Sequence, residues 1–277
     1  MRYRLLALDI DGTTLDPEGE ITDNARKAVG EALRSGLRVV LCTGRRYRST
    51  LPIARRLGLA GPVVVHNGAL VKDTTRGRTL EASYLAAEMQ TEIRAVLRVH
   101  GPPLVYVDGW PDEDVLTEPH GSIHPHQAEY LDHYGAQCRF VPDLGAAPRT
   151  DVVMMSVVAD APAIEALRPR ALRALGDRVR AHALQNPKSR THSLEILAPG
   201  TGKWPALHRL ALANGIAAHE IAAVGDDRND VDLVAGAGFG IAMGNAVPEI
   251  LAVAELVVSG NDRDGVAEAI DAVLRAG

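Results

Sequence analysis

Apolar and polar positions follow two textures along the chain. In the first eighty residues, short continuous apolar runs alternate with helical periodicity. Arg4–Leu8, Leu37–Cys42 and Val63–His66 read as strands buried on both faces, as in a parallel sheet. Between them, Asp23–Ser35 places Ala25, Ala28, Val29, Ala32 and Leu33 at helical spacing and stops at Gly36, and a second helix is predicted around Ser49–Leu57. Ala69–Glu81, with Gly77 between two β-like arms, predicts a hairpin leading out of this sheet.

From about Tyr84 to Arg190 the texture changes. Helical patterns at Ala86–His100 and Ala161–Leu175 mix with strands at Leu104–Val107, Cys138–Val141 and Val152–Val158, and a Pro-, Gly- and His-rich stretch, Gly101–His126, interrupts them. The β-α rhythm then resumes: strands at Ser193–Leu197, Ile221–Val224, Phe239–Ala242 and Val257–Val258, with helices at Trp204–Ala213, Asp230–Ala235, Pro248–Ala254 and Gly265–Leu274. This pattern predicts an α/β fold, a doubly wound, Rossmann-like parallel-sheet core over 1–83 and 191–277. Into it is inserted a smaller α+β cap domain over 84–190.

Composition narrows the class without changing this picture. A chain of 277 residues that is 46% apolar can bury a sizeable core, and its net charge of −5 gives no general attraction for nucleic acid or an anionic membrane. No signal-like segment or 18-residue apolar span is present, and Cys42 and Cys138 lie outside any CxxC spacing. These features predict a cytoplasmic protein with no nucleic-acid or membrane partner; a monomer or small homo-oligomer is expected. Cys42 reads as a buried strand residue.

In open parallel sheets, ligands bind beyond the carboxyl ends of the strands. Four predicted strand ends carry unusual chemistry. Asp9-Ile-Asp11-Gly-Thr-Thr sets two carboxylates after the first strand, a pair that repels unless a cation such as Mg²⁺ compensates it. Thr43-Gly44-Arg45 offers a hydroxyl and backbone N–H groups as an anion seat. Lys203 sits at a helix start, where a cation opposes the helix dipole and so points to a functional partner; Thr201 is the predicted cap of that helix. Gly225-Asp226-Asp227-Arg-Asn229-Asp230 returns acids and an amide to the same rim. Each segment alone also suits an ordinary turn, loop or cap; their coincidence at the strand ends of one sheet is what carries the functional reading.

Two glycine patterns are decoys. Pro199-Gly-Thr-Gly-Lys203 lacks the first glycine and the hydroxyl residue of a nucleotide P-loop, and Gly236-Ala-Gly238-Phe-Gly240 precedes a strand with the wrong spacing for a dinucleotide site. His120, His124, His126 and His133 form either a metal or phosphosugar contact or simply a polar loop; the loop reading is preferred because no acidic or cysteine partner accompanies them at a clear spacing.

Taken in order, Asp9-x-Asp11-Gly-Thr-Thr-Leu15, Thr43-Gly44-Arg45, His66-Asn67-Gly68-Ala69, Lys203, Gly225-Asp226-x-x-Asn229-Asp230 and Ala242-Met-Gly-Asn-Ala246 resemble the haloacid dehalogenase-like phosphohydrolases, in their Cof-type branch. That resemblance implies a Mg²⁺-dependent phosphatase for a small phosphorylated metabolite. Asp9 would be the nucleophile and Asp11 the acid and base. Thr43 and Lys203 would hold the phosphoryl group, and Asp9, Asp226 and the Asp11 carbonyl would hold the metal. Asp230 is added to the metal set, and Asn229, Asn67, Gly44 and Arg45 to the phosphate-binding set; Asn245 is read as structural. Arg45, Arg46 and Arg48 suit either a solvated helix face or a second anionic group of the substrate. Trp204-Pro205 departs from the glycine and small residue usual after the lysine. A phosphosugar mutase, or a silent metabolite-binding regulator, would fit the same scaffold.

Overall fold

The computed structural model describes residues 2–119, 121, 123–146, 149–185 and 191–276. His120 falls outside them. The chain forms two compact units, residues 1–81 with 202–277, and residues 82–201.

The first unit is built on a five-stranded sheet. Its strands β1 (Leu5–Leu8), β2 (Arg38–Leu41), β12 (Ile221–Gly225), β13 (Phe239–Ala242) and β14 (Leu256–Val257) lie in the order β14-β13-β12-β1-β2. Every pairing in it is parallel, with Leu5 opposite both Ile221 and Arg38. The continuous burial of LLAL and IAAVG is what a sheet covered on both faces requires. The helices of this unit are α1 (Asp23–Arg34), α2 (Tyr47–Arg56), α6 (Lys203–Ala213), α7 (Val231–Gly236), α8 (Pro248–Leu251) and α9 (Gly265–Arg275). Leu5, Ala7, Val40, Ile221 and Ala223 pack with Ala206, Leu207 and Ala211 of α6.

Strand β3 (Pro62–Val65) departs from expectation. It packs beside β2, but its parallel pairing on that side is limited to the Cys42–Val64 bridge just past the end of β2; it instead pairs antiparallel with β4 (Leu70–Asp73), which leads to β5 (Thr79–Ala82) in a separate three-stranded sheet. The predicted hairpin is present as β4 and β5.

The second unit carries a six-stranded sheet in the order β10-β11-β9-β6-β7-β8. Its strands are β6 (Leu104–Val107), β7 (Val115–Thr117), β8 (Cys138–Phe140), β9 (Val152–Ala159), β10 (Arg180–Gln185) and β11 (His192–Leu197). The helices α3 (Ala87–Leu97) and α5 (Ala161–Leu175) bury Ile93, Leu97, Ile164, Leu167 and Leu175 against Val105, Met155, Val157, Leu194 and Ile196.

Two expectations are corrected here. The strand predicted at Ser193–Leu197 as part of the parallel core is β11, antiparallel to β9 and β10, so the boundary expected at 190/191 lies at 201/202 and the one at 83/84 lies at 81/82. The physical reason is visible in its residues: Leu194 and Ile196 are buried while Ser193 and Glu195 are half exposed, the alternation of an antiparallel sheet. The stretch Gly101–His126, expected to be irregular, contains β7 and the start of α4 (Pro125–Tyr134).

Candidate active site

The ladder of β1 runs one residue past the strand, with the Asp9 N–H donating to the Val224 carbonyl at 3.1 Å. The Asp9 side chain is buried there. The chain then turns sharply. The Thr14 hydroxyl donates to the Asp9 carbonyl at 2.5 Å, the Leu15 N–H donates to that of Ile10 at 2.9 Å, and Gly12 sits at φ +76°. A Cβ on Gly12 would overlap the Asp226 carboxylate, so glycine is what allows the turn to lie against β12's loop.

Lys203, the first residue of α6, is 2% exposed, and its Nζ donates to Asp9 Oδ1 and to Asp230 Oδ1, both at 2.7 Å. Its position is also set by the turn that follows β3. His66-Asn67-Gly68 has three positive φ values, +50°, +52° and +90°, and a Cβ on Gly68 would overlap the Gly202 carbonyl at the entry to α6. That turn is tied back to β2's loop: the His66 N–H donates to the Arg45 carbonyl and the Asn67 N–H to the Thr43 carbonyl, each at 3.0 Å. Gly202, not Thr201, is the N-cap of α6, and no side chain caps the helix.

The fourth loop completes the cluster. Asp226 accepts from the Thr13 hydroxyl at 2.8 Å. Asp230 is fully buried and accepts three donors: Lys203 at one oxygen, and the N–H groups of Asp226 and Asp227 at 3.4 and 3.3 Å at the other. Asp9, Asp226 and Asp230 each bring a carboxylate oxygen within 4.8 Å of the others, the one such group among the described residues.

Three carboxylates against one ammonium leave this buried region short of positive charge. Burial first, then Asp230, pushes the Asp9 carboxyl well above the usual range, although Lys203 opposes it. Burial and Asp230 push Asp226 up to about 7, against the Thr13 hydrogen bond. Burial raises Asp230 as well, against Lys203. Burial alone would depress Lys203, but Asp230 and Asp9 outweigh it and hold the ammonium charged. The donor set is all oxygen, the charge is in deficit, and both fit a hard divalent cation such as Mg²⁺. The Asp11 carboxylate lies outside this group.

Asp11 instead faces Arg45, whose Nε and Nη2 donate to its two oxygens at 2.6 Å each. The reading of Arg45 as part of a solvated helix face is therefore corrected: Arg45 precedes α2, whose N-cap is Arg46. Thr43 is buried and its hydroxyl oxygen accepts the Arg45 N–H at 3.1 Å, leaving the hydroxyl hydrogen to point elsewhere. Asn229 donates to Asn67 at 2.9 Å, linking two loops. Asn245 donates to the Gly12 carbonyl at 2.9 Å and accepts from the Asn261 N–H at 2.9 Å, which braces the turn after Asp9. Thr13 was not singled out in the sequence; its only signal is a hydroxyl two residues after Asp11.

Cys42 is a fully buried strand-end thiol, and burial pushes its pKa up. His124 and His126 do have acidic neighbours, Asp160 at 3.6 Å and Glu129 at 3.3 Å, contrary to expectation, and His133 meets the Tyr134 ring edge-on. Gly236, in the decoy glycine run, lies against Trp204, whose indole stacks on His208 with ring centroids 4.9 Å apart. The tryptophan that replaces the expected glycine is thus accommodated by packing. No helix among the described residues is long and apolar enough to cross a membrane.

A family model for haloacid dehalogenase-like hydrolases matches residues 6–270. The HMP-PP phosphatase of Serratia proteamaculans (strain 568) is 29% identical over 260 residues, covering 90% of this chain and 86% of that protein. The 5-amino-6-(5-phospho-D-ribitylamino)uracil phosphatase YitU of Bacillus subtilis (strain 168) is 28% identical over 271 residues, covering 95% and 94%. Among solved structures, a haloacid dehalogenase-like hydrolase from Bacteroides thetaiotaomicron superposes with a TM-score of 0.81 at 26% identity, covering 98% of this chain and 99% of that one. The chain belongs to the haloacid dehalogenase-like hydrolases, in their Cof-type branch, and is an enzyme of the phosphatase class.

Proposed function

We propose that the protein is a Mg²⁺-dependent phosphatase for a small phosphorylated metabolite, a sugar phosphate or similar monoester, working through an aspartyl-phosphate on Asp9. The observation that carries this reading is the buried Asp9 carboxylate at the end of β1, held by Lys203 at 2.7 Å beside two further acids. The names of the relatives, phosphatases of small phosphorylated compounds, support the substrate class.

Asp9 and Asp226 would hold Mg²⁺, together with the Asp11 carbonyl, and Asp230 would support them through Lys203 and the two backbone N–H groups. When bound, the ion supplies the positive charge that lets a carboxylate approach a phosphate anion. The Asp9 carboxylate attacks phosphorus, the ester P–O bond breaks, and the leaving oxygen takes a proton from Asp11. Water then attacks the acyl phosphate at phosphorus, its proton passes to Asp11, and the bond between Asp9 and phosphorus breaks to release inorganic phosphate. Lys203, the Thr43 hydroxyl, the Gly44 backbone and Asn67 donate to the phosphoryl oxygens, and Asn229 orients Asn67. The 82–201 unit is assigned the choice of leaving group.

The test is phosphate release from sugar phosphates, phosphoglycolate, pyridoxal phosphate and nucleotides, with and without Mg²⁺. Mg²⁺-dependent release from at least one is expected. Isomerisation of a sugar phosphate without release, or no turnover across the panel, would overturn the reading.

Proton linkage gives a second expectation. Without a cation Asp226 titrates near 7, so Mg²⁺ binding at pH 6 must displace a proton that is already gone at pH 8. Mg²⁺ affinity should therefore rise as pH rises through neutrality, by up to about tenfold per pH unit for each proton displaced, with Asp9 adding to Asp226 because its carboxyl is pushed up as well. Isothermal calorimetry in two buffers of different ionisation enthalpy reads the released proton directly; pH-independent affinity with no proton release would contradict it.

Gly12→Ala is expected to fail at the same place. A left-handed alanine costs about 1–2 kcal/mol, and its methyl group must displace the Asp226 carboxylate. Mg²⁺ affinity and turnover should each fall at least about tenfold, a loss of about 1.4 kcal/mol, with the fold retained by circular dichroism.

A further inference from the structure

We infer that Arg45 is a positioning residue for Asp11, fixing the carboxyl group that serves the leaving oxygen rather than binding the substrate's phosphate. The inference rests on the phosphatase reading above. Arg45 grips Asp11 through two parallel N–H to oxygen bonds of 2.6 Å, the planar fork-to-carboxylate geometry that fixes orientation as well as distance.

The backbone of Arg45 is itself held at both ends. Its N–H donates to the Thr43 hydroxyl at 3.1 Å, and its carbonyl accepts the His66 N–H at 3.0 Å, from the first residue of the left-handed His66-Asn67-Gly68 turn. One residue thus joins three strand-end loops: those after β1, through Asp11, after β2, through Thr43, and after β3, through His66. A side chain anchored this way sets the angle of the Asp11 carboxyl relative to the Thr43 seat. A guanidinium meant for a substrate anion would be expected to keep its two-pronged face for that anion, and here the face is turned to Asp11.

The leaving group separates the two roles. Phenol, with a pKa of about 10 like tyrosine, needs a proton as it departs, whereas p-nitrophenolate leaves without one. The two aryl phosphates are alike in phosphate and nearly alike in shape. On kcat/KM, which covers the steps up to departure of the phenol, R45Q should lose at least about 30-fold with phenyl phosphate and less than about threefold with p-nitrophenyl phosphate. R45K, which keeps the charge but not the fork, should show the same imbalance to a smaller degree and carries the test if R45Q melts early. D11N should show the imbalance in full. Adding R45K or R45Q to D11N should cost less than about twofold more, because Arg45 acts only through Asp11.

Equal losses on the two substrates, or additive losses in the double variants, would overturn the inference and make Arg45 a substrate-anion contact. No Mg²⁺-dependent phosphate release by the wild-type protein from either ester or from the metabolite panel would overturn the phosphatase reading and this inference with it.

Discussion

Asp9→Asn is expected to abolish Mg²⁺-dependent phosphate release, by at least about 10⁴-fold, while leaving the metal-free protein as stable as before or more so. The two halves of that result have the same origin. The carboxylate that would attack phosphorus is buried and faces Asp230 and Asp226, so its charged form is held in an unfavourable place. Asparagine keeps the shape, and its Oδ1 can still accept from Lys203 in the position now 2.7 Å from Nζ. What it removes is one negative charge and the proposed nucleophile. Folded and unfolded protonation fix the direction with pH. A carboxyl whose folded pKa lies above its unfolded value stabilises the fold at low pH, and that contribution is lost as pH rises through the folded value. The wild type therefore carries a penalty at pH 8 that the amide variant does not. Thermal unfolding at pH 6 and pH 8 in chelator, beside phosphate release in Mg²⁺, checks both halves. Wild-type turnover by the variant would place the nucleophile elsewhere. A large loss of stability would mean the charge, not the shape, holds the turn.

Penalties of this kind explain why much of the site was legible in the sequence. Asp9, Asp226 and Lys203 each break a local rule: two acids follow strands buried on both faces, and a lysine opens a helix whose dipole repels it. A single rule break has an ordinary explanation. Several at the carboxyl ends of strands in one parallel sheet do not, because that edge is where side chains from remote segments meet. The continuous apolar runs of β1, β2 and β12 made the sheet itself readable for the same physical reason, burial on both faces.

What was not legible depends on which partner a side chain reaches. Arg45 has the spacing of a helix-face arginine, and nothing in Thr43-Gly44-Arg45 says that the chain leaves β2 early enough to bring the guanidinium to Asp11. Thr13 lies beside the acids in sequence but acts across 213 residues, on Asp226. The misassigned strand, β11, did carry a warning. Ser193-Leu-Glu195-Ile alternates polar and apolar residues, unlike LLAL or IAAVG, and alternation marks a sheet with one open face. Its neighbour β10, Arg-Ala-His-Ala-Leu-Gln, lacks the β-branched residues that signal strands, so its pairing gave no early cue. The polar-loop reading of the histidines rested on a missing acidic partner, and that ground is what the structure corrects: Asp160 stands 36 residues after His124, and Glu129 three residues after His126.

Lys203→Met carries the largest expected change in stability. The side chain is a cation almost wholly removed from water and bonded to two carboxylates at 2.7 Å, and methionine fills similar volume without the charge. Removing one partner of a buried ionic cluster costs about 3–5 kcal/mol, because the charges left behind have neither water nor a counter-ion. Asp230 retains its two backbone donors, so Asp9 loses most. The deficit should depend on pH in a direction opposite to ordinary acid denaturation. Without Lys203 the carboxyls of Asp9 and Asp230 titrate higher still, protonate as pH falls, and cease to be buried charges. The variant should therefore lie closest to wild type near pH 5.5 and furthest below it at pH 8. Mg²⁺ at saturating concentration should recover part of the loss at pH 8 by restoring positive charge beside Asp9, without restoring turnover, which in the proposed mechanism needs the ammonium on the phosphoryl oxygens. Unfolding midpoints for both proteins at the two pH values, with and without Mg²⁺, distinguish this from simple mispacking. A deficit of equal size under all four conditions would mean that the lysine is a space-filling residue, and that Asp9 is neutral without it.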